Sequence, residues 1–234
     1  MASTVHFGNA PRASIAGFVT AGGRSSRFGQ DKALVKLGGE VVLARMCRIV
    51  SEATGSATII ADRQRPYAGF GVPVIEDLWP GEGPLGGIIT ALLHSHEPAF
   101  EGARQSVPAA AENWNLIVSC DMPFLTSEWL KYLCYFALAS NAKAIVPQSQ
   151  YGREPLCACW RISAAAELQT AFEGGMRRVN DALKLLNAEV LDGSHWKRFD
   201  SAGRLFWNMN TPADHAEAER ILAGTQRVSE SEHT

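Results

Sequence analysis

Residues 15–39 read IAGFVTAGGRSSRFGQDKALVKLGG. A short apolar run, Ile15–Thr20, stops at Ala21-Gly22-Gly23, and Arg24, Arg27, Gly29, Asp31 and Lys32 follow before apolar residues resume. That order predicts a strand, a loop that wraps an anion, and a helix. Gly22 and Gly23 lack Cβ, so the backbone can approach a ligand closely. Successive N–H groups in such a loop converge on phosphate oxygens, and a helix start adds partial positive charge. Arg24, Arg27 and Lys32 add full charges, arginine as a two-toothed grip and lysine as a point charge. The segment is neither a GxxxxGK[ST] loop nor a GxGxxG fingerprint.

The bulk properties are those of an ordinary globular chain. It has 234 residues, 46% of them hydrophobic and 20% charged, enough for one α/β domain with a full core. A net charge of −2 argues against broad nucleic-acid or membrane-surface binding. Five scattered cysteines make no disulfide framework and fit a reducing cytoplasm. No run reaches transmembrane length.

Period and punctuation predict strands at 15–20, 57–61, 72–75, 116–119, 144–147, 156–160 and 205–207. They predict helices at 41–52, 85–95, 127–139, 164–172, 179–186 and 212–223, with Thr126 or Ser127 capping the third. Residues 96–113 have no period and read as a surface loop. The alternation implies a single three-layer α/β/α Rossmann-like domain over residues 14–222, built on a mainly parallel, mixed sheet. Residues 1–13 and 224–234 read as flexible tails.

Three further stretches carry chemistry. CDMPFL at 120–125 puts Asp121 directly after an apolar run. Ligands of open parallel sheets bind beyond the carboxyl ends of strands, and Mg²⁺ takes one or two carboxylates together with substrate phosphates. Asp121 alone fits a turn-opening carboxylate as well; beside the first loop, a metal ligand is the better reading. VIEDLWPGEGPLGGI at 74–88 sets Asp77 after a strand and a glycine-rich turn, Gly83-Pro84-Leu85, before a helix. NMNTPADH at 208–215 reads as an element exit, with Thr211 capping the last helix and Pro212 in its first turn.

AGG-x-S-x-R-x-G-x-DK at 21–32, with CDMP, GPLxG and NxNTP, resembles the molybdenum cofactor guanylyltransferases, within the nucleotide-diphospho-sugar transferase type of fold. The resemblance spans roughly residues 14–222. It implies an enzyme that moves GMP from GTP to molybdenum-loaded molybdopterin with Mg²⁺ and releases pyrophosphate. It implies Lys32, Arg27 and Asp121 as catalytic residues, and Asp121 with Asn208 as metal contacts. It places Ala21, Gly22, Gly23, Lys32, Asp77, Gly83, Pro84 and Leu85 on the nucleotide.

GREPLCACW at 152–160 and GGMRRVNDAL at 174–183 resemble acceptor-side segments, so Arg153, Arg177 and Arg178 are candidates for the acceptor phosphate. Solvated loop arginines are an equal reading for each. Cys157 and Cys159 alternate along a strand without a nearby histidine and read as packing residues. Asp62 stands where several relatives carry asparagine; its carboxylate could accept from guanine N1–H and the 2-amino group, or be an exposed loop residue. The alternatives are CTP in place of GTP, a sugar-phosphate acceptor, or a nucleotide-binding module without turnover. Other cofactor-biosynthesis proteins and acceptor molybdoenzymes are expected partners.

Overall fold

The computed structural model describes residues 15–22, 31–65, 67–96, 114–200 and 202–231. Gly23, Arg24, Arg27 and Gly29, the 97–113 stretch and the first fourteen residues lie outside the described residues.

In chain order the elements are β1 (Ile15–Thr20), β2 (Lys36–Leu37), β3 (Glu40–Val41), α1 (Val42–Thr54), β4 (Thr58–Ala61), β5 (Val74–Glu76) and α2 (Pro84–His96). They continue with β6 (Trp114–Ser119), α3 (Ser127–Ala139), β7 (Ala144–Ser149), β8 (Gly152–Arg153) and β9 (Cys157–Arg161). The last are α4 (Ala165–Glu173), α5 (Val179–Leu185), β10 (Glu189–Leu191), α6 (Gly193–Trp196) and α7 (Pro212–Ser231). The main sheet runs β10-β7-β9-β6-β1-β4-β5, with β8 hydrogen-bonded to β7. Only β9 runs antiparallel within that row, against β6 and β7; β8 is antiparallel to β7. The carboxyl ends of β5, β4, β1, β6 and β7 therefore share one edge.

Alternating side chains fill the two faces of the sheet. Val19, Leu116, Val118, Cys157 and Cys159 join the cluster under α1 and α3. Phe18, Ile117, Ala158 and Trp160 join the cluster under α2, α4 and α5. β1 and β6 are covered on both faces, which explains their unbroken apolar runs. All five cysteines are buried and free, and the Trp129 indole donates to Cys157 Sγ at 3.4 Å. Among the described residues no helix is long and apolar enough to cross a membrane.

The structure departs from the sequence expectation at a few places. Leu205–Trp207 is a turn rather than a strand, with Trp207 N–H bonded to the Arg204 carbonyl at 2.9 Å. Its apolar residues have the pattern of a short strand, but Leu205 and Phe206 plug the end of the core, Phe206 against Trp129 and Trp196. The last strand is instead β10, an edge strand parallel to β7 with two of its three residues exposed. The helix expected over 212–223 runs on to Ser231. Thr126 is the cap of α3, its hydroxyl accepting from Trp129 N–H at 3.3 Å.

Gly17 lets α1 sit hard against β1. A Cβ there would lie 2.5 Å from Thr54 Oγ1 and 2.6 Å from the Ser56 carbonyl oxygen, and would also meet Val50 Cγ1. Backbone oxygen cannot yield as a side chain can. Gly17→Ala is expected to cost about 1–3 kcal/mol, read as a lower urea midpoint at unchanged slope. An unchanged midpoint would show that α1 shifts freely.

Candidate active site

Thr20 and Ser119 are paired in register at the ends of β1 and β6. The chain stays locked one residue further, because Cys120 N–H donates to Thr20 O at 3.1 Å and Ala21 N–H to Ile60 O at 2.9 Å. Gly22 and Asp121 consequently leave the sheet side by side. Burial pushes the Cys120 thiol up to about 12, so the cysteine next to Asp121 is a packing group at neutral pH.

Lys32 arrives from a separate turn. It opens a one-turn helix, Lys32–Leu34, whose cap is Asp31, with Oδ1 accepting from Ala33 N–H at 3.1 Å. Asp31 Oδ2 accepts from the Tyr67 hydroxyl at 2.6 Å and from Arg65 Nη1 at 2.8 Å. Burial, then the hydrogen bond to Asp31, raises Tyr67 above the usual phenol range, so its hydroxyl stays a donor. Asp31 therefore fastens the Lys32 turn to the segment after β4.

From that turn Lys32 Nζ reaches Asp121 Oδ2 at 2.9 Å. A second bond goes to Asn210 Oδ1 at 3.3 Å. Both charged side chains are mostly covered, at 16% and 19% exposure. Among the described residues Asp121 Oδ1 is buried and has no hydrogen-bond partner. An orphaned carboxylate oxygen costs about 1–3 kcal/mol, and a hard cation is the ligand such an atom suits.

Gly22, Lys32, Asp77, Gly83, Pro84 and Asp121 line one cleft of about 400 Å³. Asp77 is fixed there, since its Oδ1 accepts from Trp79 N–H at 3.0 Å and from Thr90 Oγ1 at 3.1 Å. Gly83 takes φ +96°, a conformation that favours glycine and turns the chain into α2 at the cleft floor. Leu85 is fully buried in the core under α2. Ala21 is also a core residue, and its N–H is spent on Ile60 O.

The other candidates are not among the residues that line this cleft. Asp62 is exposed and holds a surface turn, its Oδ1 accepting from Gln64 N–H at 3.1 Å. Arg177 pairs with Glu82 at 2.7 Å and lies 3.9 Å over the Phe172 ring. Arg178 is exposed at the start of α5. Arg153 lies on β8, opposite Gln148. Asn208 donates through Nδ2 to Phe206 O at 3.2 Å. Arg27 and Gly23 lie outside the described residues.

Sequence reasoning did not single out Asn210 or Glu154. Asn210 is carried to Lys32 by Met209 N–H, which donates to Asp121 O at 2.8 Å, and by Asp214, whose Oδ2 accepts from Asn210 and Thr211 N–H at 2.8 and 2.7 Å. Asp214 N–H returns to Thr211 Oγ1 at 3.1 Å, a reciprocal cap that T-x-x-D in the sequence announces. Glu154 is buried and accepts from Ser149 Oγ at 2.5 Å. Burial pushes its carboxyl up, the Ser149 bond opposes this, and the charge of Asp121 adds to the rise.

With this geometry described, three likenesses bear on it. The chain is 34% identical over 215 residues to a molybdenum cofactor guanylyltransferase of Rhizobium leguminosarum bv. trifolii, covering 90% of this chain and 94% of that protein. It resembles the crystal structure of molybdopterin-guanine dinucleotide biosynthesis protein A from Archaeoglobus fulgidus, with a TM-score of 0.72, 26% identity and coverage of 89% and 99%. A cytidylyltransferase from Thermus thermophilus, 2-C-methyl-D-erythritol 4-phosphate cytidylyltransferase, shares the fold at 13% identity and a TM-score of 0.57, covering 88% and 98%. The model of the MobA-like NTP transferase domain matches residues 17–188, and the chain belongs to that family.

Proposed function

We propose that this protein transfers a guanylyl group from GTP to the terminal phosphate of molybdenum-loaded molybdopterin. The observation that carries the reading is the Lys32–Asp121 pair, 2.9 Å apart at the mouth of the cleft that Gly22 lines. Its ammonium would face a phosphate and its second carboxylate oxygen a cation. The similarity to guanylyltransferases supports the choice of substrates.

In this reading GTP lies over Gly22 and the first loop, with Arg27 and Lys32 on its phosphates. Gly83 and Pro84 support the base. Asp77 lines the cleft, whereas Asp62, the carboxylate read for guanine, serves a surface turn. Asp77 Oδ2 is therefore assigned to guanine N1–H and its 2-amino group. Asp121 Oδ1 and the side-chain oxygen of Asn208 would hold Mg²⁺. When bound, such an ion would supply charge neutralisation at the triphosphate.

An oxygen of the acceptor phosphate attacks the α-phosphorus. The new P–O bond forms as the α–β bridge breaks, and pyrophosphate carries away the electron pair. The nucleophile is already ionised near neutral pH, so no side chain must take a proton. Lys32 places its ammonium where charge accumulates, and Asn210 and Asp31 keep it there. Catalysis then consists of positioning and charge stabilisation. Arg153, on the β7 side of Asp121, is assigned to the acceptor phosphate. Arg178 is held as a second contact, and Arg177 is committed to Glu82. Five free buried thiols suit work in a reducing cytoplasm, where the product would pass to molybdoenzymes.

Incubation with GTP, Mg²⁺ and molybdenum-loaded molybdopterin should yield pyrophosphate and the guanine dinucleotide in equal amounts. Product with CTP alone, or none with any nucleotide, would overturn the reading. Lys32→Ala is expected to lower single-turnover rate by about 10²–10³-fold; an unchanged rate would remove Lys32 from the transition state. Asp31→Ala should lower stability by about 1–3 kcal/mol through its lost hydrogen bonds and also lower kcat, because the Lys32 turn loosens. Full kcat at reduced stability would confine Asp31 to folding.

A further inference from the structure

We propose that Arg177 is a positioning residue for the nucleotide, clasping the turn between β5 and α2 from outside; this rests on the reading of the cleft as the GTP site. The segment around it, GGMRR at 174–178, resembles an acceptor-side stretch, yet its guanidinium is spent on the nucleotide side. Arg177 Nη2 meets Glu82 Oε2 at 2.7 Å. Glu82 sits between Gly81 and Gly83, and both glycines line the cleft.

The turn needs such a tether. Gly81 takes φ +81° and Gly83 φ +96°, so the chain on either side of Glu82 lies in a region that favours glycine. A backbone with that freedom loses much entropy when a ligand orders it. The bonds inside the turn are long, with Glu82 N–H donating to Trp79 O at 3.2 Å and Gly86 N–H to Gly83 O at 3.2 Å. The Glu82 carboxylate adds a fastening to the segment after α4.

The arginine end is built beforehand. Phe172 is buried in the core under α2, and the Arg177 guanidinium lies 3.9 Å over its ring. Nη1 donates to Phe172 O at 2.5 Å and to Met176 O at 3.0 Å. A planar fork fixed in this way gives up little freedom on meeting a carboxylate. Trp79, from the same turn as Glu82, packs against Phe172 as well, with ring centres 5.3 Å apart. Its Cβ presses on Gly86, where an added Cβ would come within 3.0 Å of it. One buried ring thus receives the turn's indole by stacking and the arginine by a cation–π contact.

The consequence falls on nucleotide binding. A turn already held loses less freedom when the nucleotide arrives. Removal of Arg177 also leaves the Glu82 carboxylate unpaired beside a site for a triphosphate, where like charges repel.

A double-mutant cycle tests the clasp. Glu82→Gln and Arg177→Met alter half-exposed side chains and leave Phe172 and Trp79 in place. Calorimetric titration with GTP and Mg²⁺ should show Arg177→Met binding about fivefold more weakly, the size of a half-exposed ion pair lost together with a cation–π contact. Glu82→Gln should bind about twofold more weakly or worse. The double variant should bind no more weakly than Arg177→Met, because the two groups act as one. In steady-state transfer the GTP KM should rise in Arg177→Met and the acceptor KM should not. Unchanged GTP affinity in Arg177→Met, even at a lower urea midpoint, would confine the pair to folding and overturn the assignment. Losses that multiply in the double variant, or a rise in the acceptor KM alone, would overturn it too, and each leaves the guanylyl reading intact. Binding of CTP in place of GTP by the unaltered protein would overturn that reading, while the same cycle run with CTP still decides on the clasp. Binding of no nucleotide would overturn both.

Discussion

The Lys32–Asp121 ion pair ties the structure together. It joins positions 89 residues apart, one from the turn after the first loop and one from the end of a central strand. A partly buried pair of this kind has both Coulomb gain and desolvation cost, so its net contribution to stability is modest. Its importance is geometric. The pairing holds an ammonium beside a carboxylate whose other oxygen has no hydrogen-bond partner among the described residues.

Everything around the pair serves to fix it. The β1–β6 register sets Asp121 next to Gly22. Asp31, Arg65 and Tyr67 hold the Lys32 turn to the segment after β4. The Thr211–Asp214 cap and the Met209–Asp121 bond deliver Asn210 to the lysine. Four separate stretches of chain thus converge on one ammonium group. Tight placement of this kind is what phosphoryl chemistry without a proton-transfer step demands.

Much of this arrangement was legible in the sequence. The strand–glycine–cation order of residues 15–32 and the position of Asp121 after an apolar run both found the cleft, because strand ends and glycine turns have local signatures. Asp77, Gly83 and Pro84 were legible for the same reason. Asp62 was read by its place after a strand, but one carboxylate can serve a guanine or a surface turn, and sequence does not say which way it points. Leu205–Trp207 reads as a strand in sequence because a short apolar run has the same pattern whether it pairs or plugs a core. Gly17 and Glu154 gave no local signal. Their roles come from α1 pressing on β1 and from the β7–β8 hairpin folding beside β6.

Two cavities lie along the carboxyl edge of the sheet. The cleft over β1, β4 and β5 is built from glycines and charges, and the one beyond β7 from aromatic walls. Asp121 lines the first of them. Titration of Mn²⁺ into the GTP-bound protein, followed by the EPR signal of the free ion, tests this placement most directly. One tightly held ion per chain, with much weaker binding in Asp121→Asn, is the expected result. Equal affinity in the Asp121→Asn protein would contradict the assignment of Asp121 as the group on which phosphate, cation and lysine meet.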